Sequence, residues 1–536
     1  MDRIIVVGSG ASGVHFALTL LQKGHAVLML DVGRTGPSPV NPADDFNALK
    51  TNLPDPVEYF LGPRYEALIL PHHGSEYYGF PPNKSHVFAP NQNFTYRANG
   101  FAPLTSFAAG GLAEAWTGGC YPFNDDDLRG FPFSYRALQP CYEEIARRIG
   151  ITGVADDLAP FFPVHAGLLE PLELDHHSQS LLAAYQRNRP FLNEKLRCFV
   201  GRSRVAALSR DLGDRQRCTY LGRCLWGCPT DSLYTPSLTL RECRRYPGFQ
   251  YLDNLYATHF RYTSGGRIRT LVALSAGNGR TQEFDVDRLV LAAGALSSSK
   301  IFLESVYRDS GQLLHLRGLM DNRQALMPFV NLKLLGRPYE PKSYQYHQLA
   351  VGIAGDDPGS HVHGLVTTLK TALIHPIVQN IPLDLRAGVF FFRNLHAALG
   401  LVNINQPDQR RQDNYLALEA DPNTGTSRLL IHYHPETGEP VRLRRTIRAF
   451  QKVLWKLGCV APSNMVHLRP MGASVHYAGT IPMTVEPAPL TCSPDCQSRD
   501  FENLYLVDGS SFPALPAKNL TFTLMANAVR VAEQAF

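Results

Sequence analysis

A glycine-rich turn inside a complete βαβ frame constrains this chain more than any other feature. Arg3-Ile4-Ile5-Val6-Val7 reads as a buried strand. Gly8-Ser9-Gly10-Ala11-Ser12-Gly13 turns into a helix that runs to about Lys23, and Ala26-Val27-Leu28-Met29-Leu30 forms a second strand ending on Asp31. In a G-x-G-x-x-G turn the first glycine permits the bend, the second lets backbone approach a pyrophosphate, and the third lets helix and strand pack closely. The helix start then offers free N–H groups and partial positive charge to phosphates. Gly8, Gly10, Ser12 and Gly13 are therefore candidate cofactor contacts. Asp31 is placed to accept hydrogen bonds from ribose hydroxyls, and its carboxylate disfavours a 2′-phosphate, which argues against NADP. The turn specifies dinucleotide binding without choosing between FAD and NAD.

The chain is 536 residues long, which calls for more than one domain. A charged fraction of 18% and a net charge of +5 describe a folded, core-rich chain and argue against a nucleic-acid surface. The densest basic run, Arg442, Arg444, Arg445, Arg448, Lys452 and Lys456, has helical spacing and reads as a solvated helix face. No apolar run reaches the ~18 residues that span a bilayer. The first strand leaves no room for a signal peptide, so a cytoplasmic location is expected, with export alongside a signal-bearing partner left open. Phe390-Phe391-Phe392, with Leu395, Leu399, Leu401 and Val402 nearby, reads as a buried wall or pocket lining. The adjacent pairs His72-His73 and His176-His177 read as polar surface.

Further along, residues 35–105 look like long excursions over a scaffold. Leu138 to Ile149 has helical spacing, and Tyr251 to Ala273 reads as a hairpin turning at Ser264-Gly265-Gly266. Arg288 to Ala295 is an apolar strand followed by a helix to Glu304, and residues 320–435 read as strands supplying a separate sheet. Strand Leu504–Val507 and helix Thr521–Gln534 close the chain. Nucleotide-binding pieces thus fall at the start, middle and end. The expected fold is α/β: a Rossmann-like domain plus a second α+β domain built on a mostly antiparallel sheet.

Several separated blocks resemble the glucose–methanol–choline (GMC) oxidoreductases, in the family's order. These are the opening glycine turn; Leu291-Ala292-Ala293-Gly294-Ala295-Leu296-Ser297-Ser298-Ser299; Gly110 to Gly119 with Trp116, then Pro122-Phe123-Asn124-Asp125; His476-Tyr477-Ala478-Gly479-Thr480; and Asp508-Gly509-Ser510 with Asn519-Leu520-Thr521. The resemblance implies FAD as cofactor. It implies cofactor contacts at Gly110, Gly111, Trp116, Gly119, Ala257, Ala293, Gly294, Asp508, Gly509, Asn519, Leu520 and Thr521. It also implies an FAD-binding domain over residues 1–45, 98–125, 215–308 and 470–536, and a substrate-binding domain with excursions over 46–97, 126–214 and 309–469. His476 corresponds to the family histidine that takes the substrate hydroxyl proton, and Asn519 to its partner. Histidine titrates near neutrality and suits that proton, whereas an asparagine acts only by hydrogen bonding. The last helix is expected to present its positive end to the reduced flavin, Gly509 to let backbone approach the ring, and Asp508 to organise the turn.

The chain departs from the family at three places. Leu520 stands where proline is usual, Ile481-Pro482-Met483 replaces an Arg-Met ending, and Ala115 lies where some relatives carry a histidine bonded to FAD. Dissociable FAD is therefore expected. Cys218, Cys224 and Cys228, followed by Pro229, could hold an iron–sulfur cluster, although the same loop packs against FAD in cluster-free relatives; no metal is favoured. Cys492 and Cys496 read as a surface loop with chance cysteines or a disulfide. The expected activity is FAD-dependent oxidation of a CH–OH group of an alcohol, sugar or lipid-like substrate, as a dehydrogenase in preference to an oxidase. A quinone, cytochrome, redox protein or oxygen would accept the electrons. A lyase-like or light-driven flavoenzyme is the alternative.

Overall fold

The computed structural model describes residues 3–68, 79–357, 359–420 and 427–536, so the His72-His73 pair lies outside the described residues. In order, the chain passes through β1 (Ile4–Val7), α1 (Ala11–Gln22), β2 (Val27–Leu30), β3 (Phe249–Leu252), β4 (Arg288–Leu291) and α2 (Ala295–Ser310). It continues through β5 (Arg323–Asn331), β6 (Leu349–Ile353), β7 (Val362–Thr368), β8 (Leu399–Gln406), α3 (Glu439–Lys456), β9 (Leu504–Leu506) and α4 (Thr521–Gln534).

Five of these strands form a parallel sheet in the order β9-β4-β1-β2-β3. Its strands are short apolar runs because a parallel sheet is covered on its faces: all four residues of β1 and all three of β9 are buried. Helix α1 is buried from Ser12 to Leu21, packed against α4, which explains why its apolar residues do not form a single stripe. The chain leaves β1 toward β2 on one side and returns to β4 on the other. That reversal opens a crevice at the carboxyl ends of the strands, where ligands bind in such sheets.

The second sheet is antiparallel. Its order runs from Cys459–Val460 through β5, β8, β7 and β6 to Cys198–Arg202, with His467–Leu468 also paired to β5. One face carries Val366, Val402 and Ile404 against Phe450, Val453 and Leu454 of α3 and against helix His176–Lys195. Arg444, Arg445, Arg448 and Lys452 lie on the exposed face of α3, where the basic run was expected. The opposite face of the sheet is polar and matters below.

The 320–435 segment supplies β5 to β8, but Tyr415–Ala420 and Ser427–His432 join a smaller sheet with Tyr96–Asn99 and His315–Arg317. Leu255–Tyr262 and Ile268–Ser275 pair as the expected hairpin, extended by Thr281–Asp285. Helix His176–Lys195 was not legible in the sequence. Pro190 interrupts it, and His177 and Ser178 occupy buried positions where apolar residues would have marked a stripe.

Three surface expectations need correction. Phe392 is buried, but Phe390 and Phe391 are 70% and 46% exposed, because helix Leu385–Leu395 turns only one side inward. His177 is buried while His176 is not, since adjacent helical side chains point about 100° apart. Cys492 and Cys496 are fully buried free thiols, enclosed as the loop packs under α4: the Cys496 sulfur accepts a hydrogen bond from Asn527.

Candidate active site

The first βα turn is tight for reasons visible atom by atom. Gly8 has φ of +101°, and a Cβ there would lie 2.7 Å from the Ala292 carbonyl oxygen. A Cβ on Gly13 would collide with the Gly8 carbonyl, so the third glycine serves helix–strand packing. A Cβ on Gly294 would meet nothing within 4 Å, and one on Gly10 only Ala292 O at 3.9 Å: both face open space. That space is an open cleft that runs from the first turn of α1 past the end of β2 to the start of α4. Gly10 caps α1 without a side-chain hydrogen bond, leaving first-turn amides for a ligand. Open glycine faces, free helix-start amides and a carboxylate at the end of β2 fit a dinucleotide.

Of the residues anticipated from sequence, Gly8, Gly10, Ser12, Asp31, Gly111, Ala257, Ala293, Gly294, Asp508, Gly509, Leu520 and Thr521 line this cleft. Gly13, Gly110, Trp116, Gly119 and Asn519 do not. Gly110 donates its N–H to Ser9 Oγ at 3.0 Å, and the Trp116 indole donates to the Tyr234 carbonyl at 2.6 Å from a neighbouring cleft. Sequence reasoning missed Ser9, whose N–H donates to Asp31 Oδ2 at 2.7 Å and whose hydroxyl donates to the same oxygen. It also missed the wall formed by Leu104 to Ala108 and by Tyr477, which lies in an irregular segment with no periodic signal. Burial raises the Asp31 pKa against the opposing pull of these hydrogen bonds.

Asp508 organises two turns at once. One carboxylate oxygen accepts from Gly294 N–H at 2.9 Å and Ser298 Oγ at 2.5 Å, and the other from Ser510 N–H at 3.0 Å and Oγ at 2.6 Å. Gly509 lines the cleft and also meets a second constraint. A Cβ there would strike the Tyr477 carbonyl, so the residue lets the His476 segment lie against the strand-end turn.

That contact brings His476 and Asn519 together. The Asn519 amide nitrogen lies 3.4 Å from His476 Nε2, and His476 Nδ1 lies 2.8 Å from Asn322 Oδ1. An amide oxygen accepts only, so Nδ1 carries the proton and Nε2 keeps its lone pair. Asp321 holds the backbone: its carboxylate accepts from the N–H groups of Gly472 and His476 and from the Ser474 hydroxyl. Burial, with a smaller contribution from Arg469, pushes the His476 pKa down to about 4, so the ring is neutral at pH 7. The Asn519 carbonyl oxygen is buried and has no partner among the described residues.

Residues 411–528 match the family model described as GMC oxidoreductase. That match covers the C-terminal part of the chain and contains both His476 and Asn519. The chain is 21% identical over 554 residues to paromamine 6'-oxidase of Streptomyces fradiae, spanning 99% of this chain and 90% of that protein. It is 24% identical over 457 residues to C-glycoside 3-oxidase of Microbacterium trichothecenolyticum, spanning 81% and 77%. Among solved structures, pyridoxine 4-oxidase from Mesorbium loti superposes with a TM-score of 0.61 at 15% identity, over 100% of this chain and 99% of that one. A formate oxidase gives 0.61 at 11% identity, over 99% and 98%. These superpositions establish the fold.

The three-cysteine loop lies away from the dinucleotide cleft. Cys224 and Cys228 share the neighbouring cleft with Trp116, and burial raises the Cys218 and Cys224 thiols above the usual range. Among the described residues no three His, Cys, Asp or Glu side chains converge on a metal-sized point. Cys228 instead accepts a hydrogen bond from the Leu233 N–H at 3.4 Å. Among the described residues no helix is long and apolar enough to cross a membrane.

Proposed function

We propose that this protein is an FAD-dependent oxidoreductase that converts a CH–OH group to a carbonyl, with His476 as the proton acceptor. The observation that carries the reading is the His476 tautomer: Nδ1–H is committed to Asn322, leaving Nε2 as a neutral base beside Asn519. Bound FAD supplies a two-electron acceptor for the hydride that leaves the substrate carbon. Nε2 takes the hydroxyl proton as that hydride departs. The Asn519 amide holds the substrate oxygen in line with Nε2, which lowers the entropic part of the barrier. Leu520 and Thr521, at the start of α4, line the cofactor cleft, where the helix's positive end favours negative charge.

Non-covalent FAD is supported by the cleft lining, which contains no histidine or cysteine among its described residues. Ala115 packs with Val87, Ala108 and Leu225, outside the cleft. The expected preference for a dehydrogenase gains no support from the relatives, which are named as oxidases. We therefore take dioxygen as the acceptor. The direct test is anaerobic: in the dark, an alcohol substrate should bleach the visible flavin absorption, and admitting oxygen should restore it with stoichiometric hydrogen peroxide. A flavin that no alcohol bleaches sinks the oxidation reading. Bleached flavin that oxygen fails to restore sinks the oxidase assignment alone.

Asn322 is a positioning residue in this scheme. Asn322→Leu should slow flavin reduction about tenfold, at the low end of the scale for general-base contributions. Its acid limb should also move, because the imidazole loses its fixed tautomer. In the wild type that limb should lie near pH 4, with the base active above it and protonated below. A limb at the unperturbed histidine value would contradict the assignment.

A further inference from the structure

The polar face of the antiparallel sheet carries buried side chains that the reaction scheme does not use. His363 on β7 lies opposite Asn405 on β8, which in turn lies opposite Gln324 on β5. The Gln324 amide donates to Asn405 Oδ1 at 2.8 Å, so that pair is partly satisfied. His363 is not. Its ring is 0% exposed, and neither nitrogen finds a partner among the described residues. Two aromatic rings pack edge-on against it, Tyr121 at 4.5 Å and Phe162 at 5.2 Å between ring centroids.

His347, just before β6, shows a second and independent irregularity. It is buried with φ of +53°, a conformation that costs a non-glycine residue free energy. Its Nε2 is bonded to the Thr117 hydroxyl, while Nδ1 has no partner among the described residues. Thr117 belongs to the same loop as Gly119. A Cβ on Gly119 would lie 2.9 Å from the Tyr121 ring and 3.7 Å from the unpartnered Asn519 oxygen. Tyr121, Gly119 and Asn519 therefore form one continuous surface linking the His363 wall to the catalytic pair. Burial above all lowers the His363 pKa, with smaller contributions from His361, Lys518, His347 and His476 around it.

A buried polar atom without a partner costs about 1–3 kcal/mol, and native proteins keep few of them. Several at one place, beside a base, call for a ligand that completes them. The missing groups are complementary in kind. A neutral imidazole offers one donor and one acceptor, the Asn519 oxygen is an acceptor, and a hydroxyl is itself both donor and acceptor. A monohydric alcohol brings one hydroxyl, which His476 and Asn519 already engage.

We propose that His363 and His347 recognise additional hydroxyl groups of a polyhydroxylated substrate, of the sugar or cyclitol class, held beside His476. This rests on the oxidation reading above only for its placement next to the base. Burial keeps both rings neutral, with the His347 pKa lowered to about 4, so each retains its donor–acceptor pair at pH 7. A sugar needs such a site because an apolar wall would leave its hydroxyls desolvated and unpaired.

The test uses FAD-loaded protein, with binding and flavin reduction read separately. Binding of methyl glycosides, inositols and aminoglycosides is followed by perturbation of the oxidised flavin spectrum, in wild type, His363→Leu and His363→Gln. At least one polyol should bind wild type, lose about tenfold or more in affinity in His363→Leu, and recover part of it in His363→Gln. The melting temperature of His363→Leu should stay level or rise, because leucine removes two unpartnered polar atoms from an apolar and aromatic setting. A marked fall in melting temperature with unchanged polyol affinity would overturn the proposal in favour of a structural histidine. Failure of every polyol to bind wild type would also overturn it. Polyol binding that depends on His363 without any flavin reduction would keep this inference and sink the oxidation reading instead.

Discussion

Replacing His476 by alanine is expected to slow anaerobic flavin reduction by an alcohol at least about 100-fold while leaving FAD bound, the scale of losing a positioned general base. The two outcomes separate because His476 is outside the residues lining the cofactor cleft, whereas its neighbours Val475 and Tyr477 line it. The backbone that positions them is held by the Asp321 carboxylate through the N–H groups of residues 472 and 476, and an alanine keeps both bonds. Stopped-flow absorbance of FAD-loaded protein checks the rate, and the ratio of visible to protein absorbance checks the cofactor. Unchanged reduction would remove His476 from the mechanism. Lost FAD would show instead that the side chain supports the cleft.

The second large effect concerns the fold around the cofactor. Gly13→Val should yield protein without FAD, or no soluble protein, because the added Cβ would meet the Gly8 carbonyl inside the turn that presents first-turn amides to the pyrophosphate. Overpacking typically costs about 1–3 kcal/mol when neighbours can relax. Here the neighbour is backbone, the Gly8 carbonyl, which cannot swing aside as a side chain would, so the turn must open. Wild-type protein denatured in acid should release its FAD to the supernatant, whereas Gly13→Val should have none to release. A variant that purifies yellow with normal FAD content would disprove this account of the turn.

The strands of the parallel sheet were legible because they are short, continuous apolar runs beside glycine turns, whereas their register is a property of the folded sheet. The catalytic pair was legible only through family resemblance. Nothing local marks His476 as different from buried His15 or His165, whose pKa values burial also lowers. Asn322 was not legible at all: it lies 154 residues from His476 and carries no motif. The same holds for His363 and His347, which in sequence are isolated histidines in a segment of strands and loops. Of the block anticipated to contact the cofactor, Trp116 donates its indole N–H to the Tyr234 carbonyl in a neighbouring cleft, and Gly119 lies against Tyr121 and Asn519.

The sequence by itself determined the dinucleotide turn, the apolar strands that build the sheet beside it, and the two polar residues delivered near the chain's end. Those are properties of spacing, which local periodicity and glycine sterics encode within a few residues. Tertiary structure alone decided which imidazole nitrogen is free, what residue 509 packs against, that three cysteines in one loop do not converge, and that one sheet face holds a histidine, His363, with neither nitrogen partnered among the described residues. Each of these depends on groups far apart in the chain meeting at hydrogen-bond or van der Waals distance. Such meetings are set by how the two sheets pack, and no run of neighbouring residues records them.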